Sequence, residues 1–432
     1  MKPVPLRGTI EPAPKARLNE PAPRAILSML FWLNSPFDPL PLEGGRALRY
    51  ELLARALSDL GHNVVWWSSD FHHLRKVKRS LDSVYAVDGY QVRLVPTLPY
   101  RSNVGVKRIV SHRRYAEKWR MLADKALISG ELESPDAIIL SMPPLGLFDA
   151  AEYFRKTYGS RIIVDVQDAW PENFYALMPR VPRLVLERIF ATFEQSARRA
   201  YVEADRISAV SAKYLKLAQS YGSEVPSQVF PLGGKLPELE KKSESARERT
   251  LRLIYVGNLG ASYDLRTMLE GVGKLIGSGC DISLDIAGDG SERKFVSSFA
   301  ERIGQRICFH GYLDDKRLDA VMRQCDVGII PMRSEMLVAV PNKLIDYSGY
   351  GLAVINGLAS ETGELLESYG CGVNYEPGNV RSFTNAVCCY VTDREMLKQH
   401  QLSARRMALK RFDADKISVA MARWIVESLK GV

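Results

Sequence analysis

Nothing in this sequence is both long and apolar enough to read as a membrane span. The longest early run, AILSMLFWL at 25–33, has about half the residues a helix needs to cross a bilayer. It follows a Pro-rich, charged lead and no small-residue cleavage site, so it reads as a first β-strand rather than a signal peptide. Cysteine is scarce and confined to the second half, at Cys280, Cys308, Cys325, Cys371, Cys388 and Cys389. No CxxC pair and no Cys/His cluster with metal spacing occurs, which implies free thiols in a reducing compartment. His72, His73, His112, His310 and His400 show no ligand spacing either. His62, in GHNVV, reads as a structural residue bonded to backbone at the start of a strand. No recognised nucleic-acid motif accompanies the positive charge, so nucleic acid is not an expected partner.

What is present is ordinary soluble-protein material in quantity. The chain has 432 residues, 46% hydrophobic and 25% charged, which is too much for one core and predicts two domains of roughly 200 residues each. Residues 1–23, with PVP, PAPK and PAPR, read as a flexible tail. The net charge of +9 is unevenly spread: residues 1–200 hold 29 Lys and Arg against 21 Asp and Glu, and the remainder is nearly balanced. The densest basic stretch is 104–125, VGVKRIVSHRRYAEKWRMLADK, with Tyr115 and Trp119 interleaved. A helix of this kind suits an anionic bilayer surface; the plainer reading is a solvated helix face.

Apolar runs at 25–33, 63–68, 90–95, 136–141, 161–166 and 206–211 alternate with segments of helical spacing, such as 46–60, where Leu48, Leu52, Leu53, Ala56, Leu57 and Leu60 share a face. The polar stretch 234–250, GKLPELEKKSESARERT, reads as a linker, and the alternation restarts at LRLIYVG, 251–257. Strands alternating with helices predict parallel sheets, here two doubly wound α/β domains. Their boundaries are 24–235 and 251–408, joined by a linker at 236–250, with a last helix at 409–432. Ligands in such sheets bind at the carboxyl ends of the strands, which places a site in the cleft between the domains.

The stretch AVPNKLIDYSGYGLAVI, 339–355, carries the chemistry. Pro341 sets a helix start, with Asn342 and Lys343 in the first turn. The free N–H groups and dipole there favour an anion, and Lys343 adds a full charge. Asp346, one turn on, could accept hydrogen bonds from a ribose diol. Together these describe a nucleoside diphosphate; helix capping with a surface Lys–Asp pair is the alternative. Gly257 and Gly260 follow a predicted buried strand, where missing side chains would let a diphosphate approach the backbone. Gly288 and Gly290 form a second tight turn, either a ligand contact or a plain strand-to-helix turn. Gly44 and Gly45 read as opening the first helix, without the Gly-x-Gly-x-x-Gly spacing of a dinucleotide fingerprint. Arg46 beside them suits an acidic or phosphate-bearing acceptor, or is a solvated first-turn arginine. Asp168 follows the strand RIIVDV at its carboxyl end, either as a cleft carboxylate or as a helix cap, and Glu172 is a second acid nearby.

PNKLIDYSGYGLAVI resembles the donor-site motif of the retaining GT-B glycosyltransferases, glycosyltransferase family four. YVGNLGASYDL (255–265), IAGDGSE (286–292), FHGYLDDKRL (309–318) and CDVGIIPM (325–332) fit the same family in order. EGGRALRYELLARALSDLGHNV (43–64) looks like its Gly-Gly loop and first helix, and VDVQDAWPE (164–172) resembles a segment of a subgroup that builds bacterial surface polysaccharides. The resemblance implies two Rossmann-like domains, the first binding the acceptor and the second a nucleotide-sugar, with the last helix packing back on the first domain. It implies Gly257, Asn258, Gly260, Gly288, Gly290, Asn342, Lys343 and Asp346 at the donor nucleotide. Gly44, Gly45, Arg46 and Glu172 fall on the acceptor side, and Asp168 becomes the candidate catalytic acid. The reaction implied is glycosyl transfer with retention, to a saccharide that is lipid-linked. No Asp-x-Asp lies near the proposed site, and the fold's habit implies no metal and no cofactor. The implied location is cytoplasmic, peripheral at the inner face of the membrane.

Two departures matter. The family often places a basic pair where this chain has Asn258, with Arg266 further on, which leaves more of the diphosphate to Lys343. The first of two acids in the donor motif would be residue 338, which is valine; Glu335 is the nearest substitute for a contact to the donor sugar. A nucleotide-sugar epimerase or hydrolase of the same fold, or a catalytically degenerate nucleotide-binding protein, therefore remains an alternative.

Overall fold

The computed structural model describes residues 28–44, 46–101, 105–178, 181–234, 236–239, 250–260, 262–333 and 336–429. The 1–23 tail, most of the 236–250 linker, Gly45 and Glu335 lie outside the described residues.

The first sheet has eight strands: β1 (Leu30–Asn34), β2 (Asn63–Ser69), β5 (Val84–Val87), β6 (Tyr90–Val95), β7 (Ala137–Met142), β8 (Arg161–Val166), β9 (Arg206–Ala209) and β10 (Ser227–Val229). The strands β3 (Phe71–His72) and β4 (Val77–Lys78) form a small separate hairpin. The sheet order is β10-β9-β8-β7-β1-β2-β6-β5, parallel except for the edge strand β5. Helices α1 (Arg49–Asp59), α2 (Val106–Ile128), α3 (Gly146–Tyr158), α4 (Glu172–Leu177), α5 (Arg183–Glu203) and α6 (Ala212–Ser220) flank it.

The second sheet orders β13-β12-β11-β14-β15-β16 and is parallel throughout. Its strands are β11 (Leu251–Val256), β12 (Ile282–Ala287), β13 (Ile307–Gly311), β14 (Val327–Ile330), β15 (Ala353–Asn356) and β16 (Gly372–Asn374). Its helices are α7 (Leu265–Gly277), α8 (Arg293–Ile303), α9 (Asp315–Met322), α10 (Asn342–Gly349), α11 (Glu361–Tyr369), α12 (Val380–Thr392) and α13 (Arg394–Arg411), followed by α14 (Ala414–Leu429). The continuous apolar strands expected of sheets covered on both faces are here: β7 is buried along its whole length, as is β14.

The last helix belongs to the first domain's core. Met421, Ala422, Ile425 and Val426 of α14 share one buried cluster with Phe31, Leu53 and Leu57. Arg49 fixes the same region. Its guanidinium makes two bonds to buried Asp165 on β8, Nε to Oδ2 and Nη2 to Oδ1, each 2.8 Å, and Nη1 donates to the Phe230 carbonyl at 2.8 Å. Ser208 donates to the same carboxylate at 2.6 Å. Removing one partner of such a pair costs about 3–5 kcal/mol, because the other charge is left buried and unpaired.

The helix α2 separates its aromatic residues from its basic ones. Tyr115 and Trp119, interleaved with the basic residues, are fully inside, sharing a core cluster with Trp32 and Phe154. A 23-residue helix shows its residues around the full circumference, so interleaving in sequence is separation on the surface. Arg113, Arg114, Lys118 and Arg120 remain exposed, with Met121 and Leu122 beside them. Among the described residues no helix is long and apolar enough to cross a membrane.

Candidate functional site

Both sheets reverse their winding at a central strand. In the second, the chain moves from β11 outward to β12 and β13, then returns to β14 on the other side. The carboxyl ends of the strands at such a reversal are where these sheets take ligands; beyond them the loops leaving β11 and β14 are tied together by a bridge between Tyr263 and Met332. In the first sheet the corresponding reversal is at β1, between β2 and β7.

Lys343 lies at the reversal of the second sheet, against Gly257 at the end of β11. It lies in the first turn of α10, whose N-cap is Pro341, and it is buried. Its ammonium lies 4.9 Å from the ring centre of Tyr255 and 4.5 Å from that of Tyr263. Among the described residues it makes no ion pair within 4.0 Å. Burial lowers its pKa to about 8, opposed by attraction to Asp346. A cation held in a desolvated pocket at a helix N-terminus, where unpaired N–H groups also point, is arranged for an anion.

The glycines work differently from expectation. A Cβ on Gly257 (φ +137°) would lie 2.1 Å from the Lys343 Nζ, so the space its missing side chain leaves holds the ammonium itself. A Cβ on Gly288 would collide with the Gly257 carbonyl at 1.8 Å. The turns after β11 and β12 therefore close upon each other. Asn258, whose side chain is exposed, lies over both: its amide is 3.0 Å from where a Gly260 Cβ would be and 2.6 Å from that of Gly290. Asn342 is exposed on the first turn of α10. Arg266 points elsewhere, paired with Glu270 at 3.6 Å and stacked over Phe295.

Asp346 is already engaged. Its Oδ1 accepts from Arg46 Nη1 of the first domain at 2.6 Å. The sequence offers the two residues separately, Asp346 for a ribose diol and Arg46 for an acidic acceptor, with no sign that they meet. The described glycine of the expected pair, Gly44, does not open a helix: it ends the short 3-10 turn Pro41–Glu43, and α1 begins only at Arg49. Other contacts join the domains beside this one. The Tyr214 hydroxyl donates to the Leu337 carbonyl at 3.3 Å, and Ala339 is buried in the first domain's core. Val338, where an acid was sought, packs against the apolar cluster that contains Leu344 and Ile345.

Asp168 follows β8 as expected of a residue at the carboxyl end of that strand. Its Oδ1 accepts from the Asn173 amide at 2.6 Å and from the Ala169 N–H at 2.9 Å. Burial raises its pKa, opposed by these bonds and by Arg108. Arg108, which sequence reasoning did not single out, stands 4.9 Å from the Trp170 ring, and His112 stacks on that ring at 5.3 Å. These side chains lie beside a groove of about 570 Å³ lined in part by Arg113, Arg120, Tyr153 and Phe193. Glu172 turns away into helix packing: its Oε1 accepts from Tyr221 at 2.5 Å, and burial raises its pKa.

One group went unnoticed in the sequence. Asp285, Cys308 and His310 come together on β12 and β13, at the edges of the segments 286–292 and 309–318, and only strand alternation in ICFHG hinted that Cys308 and His310 share a face.

The architecture is the GT-B fold. The chain superposes on sucrose-phosphate synthase from Thermosynechococcus elongatus with a TM-score of 0.71 at 14% identity, covering 94% of this chain and 100% of that one. It superposes on HepE of Anabaena, solved in complex with UDP, with a TM-score of 0.64 at 15% identity, covering 92% and 100%. WaaG, a glycosyltransferase involved in lipopolysaccharide biosynthesis, gives 0.61 at 15% identity, covering 92% and 99%. Residues 250–393, which hold the second sheet and Lys343, match the sequence model of the family described as Glycosyl transferases group 1. No curated protein sequence matches the chain.

Proposed function

We propose that the protein transfers a sugar, with retained anomeric configuration, from a nucleoside-diphosphate sugar to a saccharide on a lipid carrier, in the assembly of a bacterial surface polysaccharide. The observation that carries this reading is the buried Lys343 ammonium, held against Gly257 at the N-terminus of α10 without a carboxylate in ion-pair range among the described residues. The family match over the second domain and the UDP complex of HepE support it.

In this reading the diphosphate lies along the first turn of α10. The bond from the sugar's anomeric carbon to the diphosphate oxygen breaks, and the negative charge left on that oxygen is stabilised by Lys343 and the helix-end amides, without a metal ion. The acceptor hydroxyl forms its bond on the face the diphosphate leaves. Asp168, raised in pKa by burial and fixed by Asn173, orients the sugar or helps take the acceptor's proton. Asp346 holds the ribose diol once Arg46 releases it. The acceptor approaches from the first domain, past Arg108 and Trp170. The exposed basic face of α2 rests on the anionic inner surface of the membrane, which supplies the lipid-linked acceptor.

The test is product formation. The protein, a set of nucleoside-diphosphate sugars and a lipid-linked saccharide should yield a glycosylated lipid of the donor's own anomeric configuration. Product that appears without acceptor, as an isomerised or hydrolysed sugar, would replace this reading with an epimerase or hydrolase. No turnover of any donor that binds would leave a nucleotide-binding protein without catalysis.

A further inference from the structure

Away from the cleft, at the free edge of the second sheet, three chemically active side chains converge. β13 is the outermost strand and, among the described residues, pairs only with β12. The pairing runs Asp285 to Cys308 and Ile286 to Phe309, then jumps to Ala287 with Gly311, so His310 is an extra residue in a bulge. Bulges re-aim side chains, and this one turns the imidazole onto its neighbours. Its Nε2 lies 2.8 Å from Asp285 Oδ1, and its Nδ1 lies 3.8 Å from the Cys308 sulfur. The three donor atoms fall within 4.8 Å of one another. Asp285 is nearly buried and held from its other oxygen by Arg252 at 3.3 Å, whereas Cys308 is exposed.

We propose that Cys308 and His310 form a binding site for a thiolate-preferring divalent ion, zinc in the first instance, with Asp285 as the carboxylate that orients the histidine. A carboxylate can only accept, so it fixes Nε2 as the protonated nitrogen and leaves the Nδ1 lone pair facing the sulfur. Two ligand atoms about 2.0 and 2.3 Å from a tetrahedral zinc ion stand about 3.5 Å apart, near the 3.8 Å found. Sulfur and imidazole together select zinc and its neighbours over magnesium or calcium. Binding displaces the thiol proton to solvent, and water completes the coordination at the open edge. The ion would clip the bulge of a strand whose outer side has no partner strand among the described residues. This site is independent of the cleft and of the activity proposed for it.

Cobalt(II) is the probe. Titrated into the reduced full-length protein, it should give a sulfur-to-cobalt charge-transfer band at one equivalent per chain, which zinc then abolishes. Cys308→Ser should remove the band, His310→Gln should weaken binding at least about tenfold, and Asp285→Asn should weaken it about 10- to 100-fold. Cys389→Ser, which alters another exposed thiol, should leave it unchanged. Zinc should also raise the melting temperature of the wild type and not that of Cys308→Ser. No band at millimolar cobalt, or a band that survives in Cys308→Ser, overturns the proposal. Because Cys308 is exposed, its serine variant is expected to fold even if Asp285→Asn does not.

Discussion

Arg46 and Asp346 lie 300 positions apart, yet Nη1 of one is 2.6 Å from Oδ1 of the other, joining the two domains across the mouth of the cleft. Both side chains remain about a third exposed, at 37% and 36%, and such pairs contribute roughly 0–1 kcal/mol. Its interest is therefore positional. Arg46→Met should change the melting temperature by no more than about 2 °C.

The carboxylate itself should matter far more to the ligand. If Asp346 accepts from a ribose diol, Asp346→Ala should weaken nucleoside-diphosphate binding about 10- to 100-fold, the range for a charged hydrogen bond. The comparison is with a 2′,3′-dideoxynucleotide, whose affinity should not respond. Equal losses for both nucleotides would remove the ribose role.

Lys343 makes a prediction about pH. Its pKa falls from the ordinary 10.5 to about 8 on folding, mainly through burial. Between pH 8 and 10.5 the unfolded chain thus binds more protons at this residue, so its contribution makes stability rise with pH across that window. Lys343→Met should abolish this component of the rise and melt at a higher temperature than the wild type at neutral pH. Diphosphate binding requires the charged form, so affinity should fall as pH increases past about 8. Calorimetry in two buffers of different ionisation heat would show proton uptake on binding there.

Asp168 separates chemistry from binding. Asp168→Asn keeps the size of the side chain and should leave nucleotide affinity within about threefold, while turnover drops about 10²- to 10⁴-fold, the usual range for a positioned acid or base. Because burial raises its pKa, activity that needs the carboxylate should fail on acidification at a higher pH than an ordinary aspartate would allow. Full turnover in the variant would strike it from the mechanism.

The outer face of α2 can be tested with vesicles. Phosphatidylglycerol vesicles should retain the protein and neutral vesicles should not, with binding weakened by salt. Arg113→Glu combined with Lys118→Glu alters two exposed side chains and should weaken retention at least tenfold, at about 1 kcal/mol per basic residue. Retention unchanged by the substitutions would assign that face to solvent.

The double alternation of strands and helices was legible in the sequence because buried parallel strands are unbroken apolar runs, as in AIILS and VGIIP. The short helix at 342–349 was legible too, since proline and glycine bracket it. What periodicity could not give was partnership. Nothing local in EGGRAL says that Arg46 will meet Asp346, or that the vacancy at Gly257 will be filled by a lysine 86 residues later. In 104–125 the sequence shows basic and aromatic residues interleaved, but composition has no direction until the helix is wound and Tyr115 and Trp119 turn inward. Cys308 and His310 looked unrelated to metal chemistry because the third member, Asp285, arrives from a neighbouring strand and a bulge supplies the angle.

The central claim is that Lys343 holds a diphosphate. The measurement that tests it most directly is thermal stability of the wild type and of Lys343→Met, titrated with UDP, GDP and ADP. For the wild type, one of them at a hundred times its dissociation constant should add about 2.7 kcal/mol, a shift of a few degrees. The variant should start from a higher melting temperature and show no shift at that concentration. Equal shifts in both proteins, or none in either, would contradict the account.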